Sequence, residues 1–382
     1  MYDWRQSIEQ RVLKFEAFHR RVNPRPVFGF FRGSEYPLPR YPFSRRLPEG
    51  RALQPEDFDV DAFVADSVRL FLDHEECGGD FIYSGSAYWG IPWLEAMLGC
   101  PIFANHATGS IYAEPPPCLT PGSLPAFSGD NPWSRLMDRM LQALAEASAG
   151  RFPLATTRMR GVADLIAALY GGDAFVLAMV DNPDEVRLVA QRVTDLFIAC
   201  GRFQLERIPA FHAGVGSFYY HAWMPAGTVW HQEDAAALLS PRLYAEFIEP
   251  FDRQIVAAFP HVVMHQHSTG FVPTDRYLAM GMSVLELHID SGGPSAESLV
   301  ARYLAILRER PLIIWGDIPR ADLAWLFAKL PPQGLAIITV VNTPDQAQDL
   351  WWTYVEKRPE TILQREDSEA RLFGLKLARK NR

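Results

Sequence analysis

The chemistry this sequence can offer concentrates on two neighbouring stretches. The first is His261-Val-Val-Met-His265-Gln-His267-Ser-Thr-Gly270, which opens after Pro260 and closes on a glycine. In a β-strand alternate side chains share a face, so His265 and His267 point the same way. The second is Val284-Leu-Glu286-Leu-His288-Ile-Asp290. The same alternation puts Glu286, His288 and Asp290 on one face and the Leu and Ile residues on the other. Polar side chains on the inward face of a buried strand are costly unless they are paired, so the ends of these strands are expected to form a site. Three imidazoles, His265, His267 and His288, with an open fourth position are the form of a catalytic zinc centre. The same three can instead hold a substrate carboxylate or act as acid and base. A hydrogen-bonded network without chemistry is the bland alternative.

Further polar groups stand upstream. Trp230-His231-Gln232-Glu233-Asp234 precedes Ser240-Pro241, an N-cap followed by proline at the first helical position. Glu233 or Asp234 is expected to supply a fourth ligand or to orient an imidazole through its second nitrogen. Together with His288 they are the expected catalytic groups, while Trp230 and His231 are expected to meet substrate. Ordinary helix N-terminal chemistry also favours acids nearby. Arg32 and Arg40 flank a loop stiffened by prolines that carries Tyr36. Arg32 is expected to face the site and hold an anionic substrate group, with Tyr36 beside it; surface charge is the competing reading. Trp89, Trp93, Trp223, Trp230 and Trp315 hint at an aromatic pocket, although most tryptophans are core. No Walker loop, nucleophile elbow or HExxH helix occurs, and Gly214-Val-Gly216 is too little for a dinucleotide fingerprint.

Elements that could position these groups alternate in period. Helical patterning covers 4–22, 55–75, 89–98, 134–149, 162–170, 183–205 and 241–258. Strand-like runs cover 27–31, 80–83, 152–157 and the aromatic 211–220, with 221–234 as a loop. From Pro260 onwards strands at 261–267, 283–289, 311–315 and 335–341 alternate with helices at 273–280, 295–308, 320–329 and 344–357. Strands about 25–35 residues apart, each followed by a helix, mean βαβ units and a parallel sheet. The expected fold is an α/β (β/α)8 barrel with an N-terminal helical extension and long loops over its mouth, the 115–135 stretch among them. Chemistry in such barrels sits at the C-terminal ends of the strands. Residues 1–360 read as one domain and 361–382 as a charged tail.

Composition narrows the class. A net charge of −8 without a basic run argues against nucleic acid. The four cysteines, Cys77, Cys100, Cys118 and Cys200, lie far apart, which fits a reducing cytoplasm rather than a disulfide framework. The N-terminus lacks the apolar core of a signal peptide, and no apolar run has the length of a membrane span.

The order of several segments resembles the uroporphyrinogen decarboxylase superfamily. Pro26-Val27, Arg32-Gly33 and Tyr36-Pro-Leu-Pro-Arg40-Tyr41 are similar to its N-terminal substrate loop. Glu95-Ala-Met-Leu-Gly99-Cys100 resembles its Glu-Ala-Leu-Gly segment, and Arg160-Gly161 with Asp164-Leu165 its central turn. Glu233-Asp234 followed by Leu239-Ser240-Pro241-Arg-Leu-Tyr244-Ala-Glu-Phe247-Ile-Glu-Pro250 is the most specific match. The resemblance implies a (β/α)8 barrel. It implies either a zinc-dependent methyltransferase that uses a corrinoid or corrinoid protein, or a metal-free decarboxylase of a carboxylated, tetrapyrrole-like substrate. A ligand-binding barrel without catalysis is a third expectation. Methyltransferase members use His-x-Cys, an acid on the next strand and a distant Cys. Here those positions fall on His265 and His267, on His288, and near Asn342 and Thr343. The N-terminal loop lacks the family's Arg-Gln-Ala-Gly-Arg run, which argues against porphyrinogen decarboxylation. A His-rich site of this kind suits zinc or another divalent metal.

Overall fold

Six runs of apolar residues pair in parallel into one sheet. We number them β1 (Val27–Arg32), β2 (Thr228–Gln232), β3 (His261–His267), β4 (Val284–His288), β5 (Leu312–Gly316) and β6 (Leu335–Val341). Their spatial order is β1-β6-β5-β4-β3-β2. β3 and β4 are adjacent and parallel, as expected of consecutive βαβ strands. In this computed structural model residues 6–172 and 174–357 are described. The expected tail at 361–382 lies outside them, as do the first residues of the helix expected from residue 4.

Strands β2, β5 and β6 are buried along almost their whole length, β5 as Leu-Ile-Ile-Trp-Gly, which is the pattern of strands covered on both faces. Helices supply the outer cover. Val60–Cys77 follows β1, Thr274–Met280 follows β3, Val300–Glu309 follows β4, Arg320–Lys329 follows β5 and Pro344–Trp351 follows β6. Ile314 on β5 is fully buried in this core, and truncating such a residue to alanine costs about 2–5 kcal/mol.

The two edges of the sheet, β1 and β2, are linked through extended chain at 79–85 and 152–160. Asp80 N donates to Phe28 O at 2.8 Å, Ala155 N to Gly85 O at 2.8 Å, and Gly161 N to Gln232 O at 2.8 Å. The strands expected at 80–83 and 152–157 are therefore extended segments joined by isolated bridges rather than regular strands. The fully buried Asp80 explains part of this. Its carboxylate accepts from Phe28 N at 2.9 Å and binds Arg25 and Lys14, so it anchors the N-terminal helix Ile8–His19 under the sheet.

Two other expectations change. The aromatic run 211–220 is not a sheet strand: only Gly214–Gly216 is extended, in a short antiparallel pair with Trp223–Pro225. The sheet strand lies downstream, at β2, inside the stretch expected to be a loop. Aromatic residues favour strands, but Tyr219 and His221 take positive φ of 70° and 56°, which breaks any ladder there. The helix expected over 241–258 divides at Ile248 into Pro241–Phe247 and Glu249–Ala258, because Pro250 cannot donate back into the preceding turn. The 100–115 region, unassigned from sequence, contains the hairpin Ile102–Asn105 with Ser110–Ala113. Among the described residues no single helix is long and apolar enough to cross a membrane.

Candidate functional site

Register sets the layers of the site. Gln232 pairs with His265, His265 with Glu286, His267 with His288, and His288 with Trp315. The alternation read from sequence thus brings His265, His267, Glu286 and His288 to one face at the C-terminal ends of adjacent strands. There they border a cavity of about 540 Å³ lined by aromatic residues (Trp89, Phe218, Tyr219, Trp230 and Trp315) and by acids.

His265 and His267 present Nε2 to each other at 3.2 Å. Asp234 Oδ1 stands 3.9 Å from the first and 3.8 Å from the second. Each imidazole is held from behind through its other nitrogen. Nδ1 of His265 is hydrogen-bonded to Glu286, whose Oε2 also accepts from Tyr220 at 2.8 Å. Trp230 Nε1 in turn donates to the Tyr220 oxygen at 3.0 Å. Nδ1 of His267 lies 2.5 Å from Asp290 Oδ1, and the second oxygen of Asp290 accepts from Ser268 N and Oγ. Carboxylates at the rear fix each ring and leave Nε2 facing the cavity.

These neighbours set the charges. Burial disfavours a charged His265, but Glu286 and then Asp234 outweigh it and raise its pKa. Burial likewise works against His267, yet Asp290 and Asp234 carry it up to about 9. His288 goes the other way: burial, then His265 and His267 beside it, push it down to about 3. Burial would raise Asp290, but hydrogen bonds from His267 and Ser268 hold it well below the carboxylate range.

The atoms that converge, all within 4.8 Å of one another, belong to Asp234, His265 and His267. The expected metal triad of His265, His267 and His288 is therefore altered. His288 lies in the same cavity, but its ring packs 5.4 Å from that of Trp315 and its Nε2 is 3.9 Å from Glu35 and from Asp290. A neutral His288 can hydrogen-bond a substrate; its low proton affinity does not suit a general base.

His231 stands behind the strand, away from this cavity, whereas Glu233 turns its carboxylate to the helices but borders a smaller pocket of about 210 Å³ that Asp234, His265 and His267 also line. Glu233 is buried and accepts from Val162 N at 2.5 Å and Ala163 N at 2.7 Å, capping the helix Val162–Tyr170. Its approach explains Gly161, where any side chain would collide with Glu233 and His231. His231 is fully buried, with Nε2 3.0 Å from Asp252, whose other oxygen accepts from Tyr244 at 2.6 Å. The reason is the pleat: Trp230 and Gln232 face the cavity, so His231 faces the helices. Arg32 also departs from expectation. It follows the inward Phe31 on β1, points outward, and pairs with Glu76 at 2.6 Å and Asp73 at 3.3 Å on Val60–Cys77. Tyr36 is exposed at the cavity rim, and Trp230 lines the wall with its ring 5.6 Å from His265. Of the other tryptophans, Trp93 is core and Trp223 packs by His19, away from the cavity.

Sequence reading missed Tyr219, Tyr220, Glu35 and Arg158, all in the cavity wall. The first two ride on the positive-φ turn at 219–221, a conformation that non-glycine residues hold only when the surroundings impose it. Burial, then Asp317 and Asp290, raise the pKa of Glu35. No protein-family model matches the chain, and no curated protein matches it.

Proposed function

We propose that this is a metal-dependent enzyme of the cytoplasm, built on a barrel of eight strand positions closed by the extended segments at 79–85 and 152–160. We read its reaction as methyl transfer between a small molecule and a corrinoid or corrinoid protein. The observation that supports the metal most directly is the pair of imidazoles whose Nε2 atoms meet at 3.2 Å with no other hydrogen-bond partner among the described residues, each ring backed by its own carboxylate. Ligand nitrogens about 2.0–2.1 Å from one tetrahedral ion stand about 3.3 Å from each other. Asp234 would complete the set. Two imidazoles and a carboxylate suit zinc or another borderline divalent ion, and with no thiolate present they favour an oxygen or nitrogen substrate atom. The ion would act as a Lewis acid on that atom.

The remaining work falls to the chain. Tyr220 and Glu286 hold His265 in place, Asp290 holds His267, and neutral His288 offers a hydrogen bond to the substrate. Aromatic walls reduce the water near the reacting atoms. Methyl transfer in particular rests on the resemblance of the ordered segments to the methyltransferase branch.

One observation favours a second reading. With its pKa near 9, a metal-free His267 carries a proton at neutral pH. It could deliver that proton from Nε2 to the carbon that keeps the electron pair when carbon dioxide leaves. This is a decarboxylase without metal. Elemental analysis of protein purified without added metal separates the two. The metal reading expects stoichiometric metal in the wild type and almost none in His265→Ala, His267→Ala or Asp234→Asn. Equal, near-zero metal in all of them would overturn it and leave acid–base chemistry or a non-catalytic ligand-binding barrel.

A further inference from the structure

Arg158 sits in the wall of the cavity and is the one arginine or lysine among its lining residues. Two residues further on, Arg160 is fully engaged, with Glu95 at 3.1 Å and Asp164 at 3.4 Å. Arg158 has neither an ion pair nor a hydrogen bond among the described residues. Its Nε is sealed from solvent with no acceptor. The residue is half-buried, so its outer nitrogens reach the cavity while Nε is left dry and unpaired, which costs stability. The protein tolerates that cost where a ligand brings the missing anion. Burial, and then Arg160, lower its pKa, but a guanidinium keeps its charge in proteins.

The surroundings select the anion. A guanidinium presents a planar fork that matches a carboxylate through two parallel hydrogen bonds. A phosphate dianion would be repelled more strongly than a carboxylate by Glu35, Asp234, Asp290 and Asp317 in the same cavity, against one arginine and the proton on His267. The wall shared with Arg158 is aromatic: Trp89, Phe218, Tyr219 and Trp230. Such a wall takes a flat apolar body.

We propose that Arg158 anchors the carboxylate of a substrate whose apolar or aromatic body lies along this wall and reaches the His265–His267 pair. This rests on the cavity being the substrate site, and it is independent of the metal. The test uses the full chain and three probes: benzoate, its neutral isostere benzamide, and inorganic phosphate. Binding is followed by tryptophan fluorescence and calorimetry. Benzoate should bind saturably to the wild type, and more tightly than benzamide or phosphate. Losing the charged fork in Arg158→Gln should weaken benzoate about tenfold or more, with Arg158→Lys between the two. Arg158→Gln without ligand should melt at or above the wild-type temperature, since it removes an uncompensated charge. Arg32→Ala, outside the cavity, should keep wild-type benzoate affinity, and the Arg158→Gln loss should appear in chelator-treated protein as well as in protein as purified, so the two readings fail separately. The proposal is overturned by any of four results. The wild type binds no benzoate. Benzamide or phosphate binds as well as benzoate. Arg158→Gln keeps wild-type benzoate affinity. Arg158→Gln melts well below the wild type, which would mark a structural arginine.

Discussion

Two clusters of the same residue types stand back to back across β2. In front are Asp234, His265 and His267; behind are His231, Glu233 and Asp252, fully buried. Either trio has the composition of a metal site, and their donor atoms are comparably close. They differ in what those atoms already do. Behind the strand, both oxygens of Glu233 take helix N–H groups and both oxygens of Asp252 are occupied by His231 and Tyr244. In front, the rear nitrogens hold the rings, the two Nε2 atoms have only each other as hydrogen-bond partners among the described residues, at 3.2 Å, and Asp234 keeps Oδ1 free beside them. Burial, then Asp252 and Asp164 nearby, raise the pKa of Glu233, and its two oxygens brace the helix Val162–Tyr170. The lesson is that identity and spacing of His, Asp and Glu do not make a site; unspent donor atoms facing a cavity do.

The sharpest way to break this comparison is to cut each cluster. Glu233→Ala should lower the unfolding free energy by about 3 kcal/mol or more, because it strands two buried N–H groups and unbalances a buried network. The protein that still folds should keep the metal content proposed for the wild type. His267→Ala should lose the metal and, against chelator-treated wild type at about pH 10, where His267 has shed its proton, shift unfolding by less than about 1 kcal/mol. Urea melts paired with metal analysis check both, and reversed results would erase the distinction.

A smaller effect is expected one shell out. Asp290→Asn should cut metal affinity roughly 10–100-fold, as read by competition with a chelator, because it loosens the His267 ring. The equivalent change behind, Asp252→Asn, should leave that affinity alone.

pH sharpens the contrast. His267 is raised from 6.5 to about 9, so it binds its proton more tightly folded than unfolded. In chelator-treated protein that contribution is fully present below about 6.5 and is lost as pH rises through about 9. Asp290, lowered from 3.8, behaves oppositely: its contribution is present above 3.8 and fades as pH falls below it. Metal must displace the His267 proton, so its affinity should keep rising with pH well above neutrality. Melting curves with and without metal, taken from about pH 6 to about pH 10, test this. A melting temperature of the metal-free protein that stays level across that range would contradict it.

The smallest effect belongs to Arg32→Ala. Its pairs with Glu76 and Asp73 are partly exposed and such pairs are worth about 0–1 kcal/mol, so stability should barely change. Benzoate and metal binding should not change at all, whereas a measurable loss of either would return Arg32 to the site.

The alternation of β3 and β4 was legible because a strand repeats every two residues, whatever surrounds it. From that period alone His265, His267, Glu286, His288 and Asp290 share one face, and the strand–helix repeat after Pro260 requires a parallel arrangement. β1 was legible too, as the apolar run 27–31, but the extended segments at 79–85 and 152–160 were not legible in the same way. Their hydrogen bonds go to isolated partners such as Phe28 and Gln232, which no local pattern announces. Tertiary structure alone decided three things about the site. Asp234 rather than Glu233 or His288 completes the converging trio, since the pleat of β2 and the turn after it set which acid faces inward. Tyr220 reaches Glu286 from a turn whose positive φ is imposed by packing. Arg158 is left unpaired among the described residues while Arg160 is not, and that difference can be read only from the side chains packed around each.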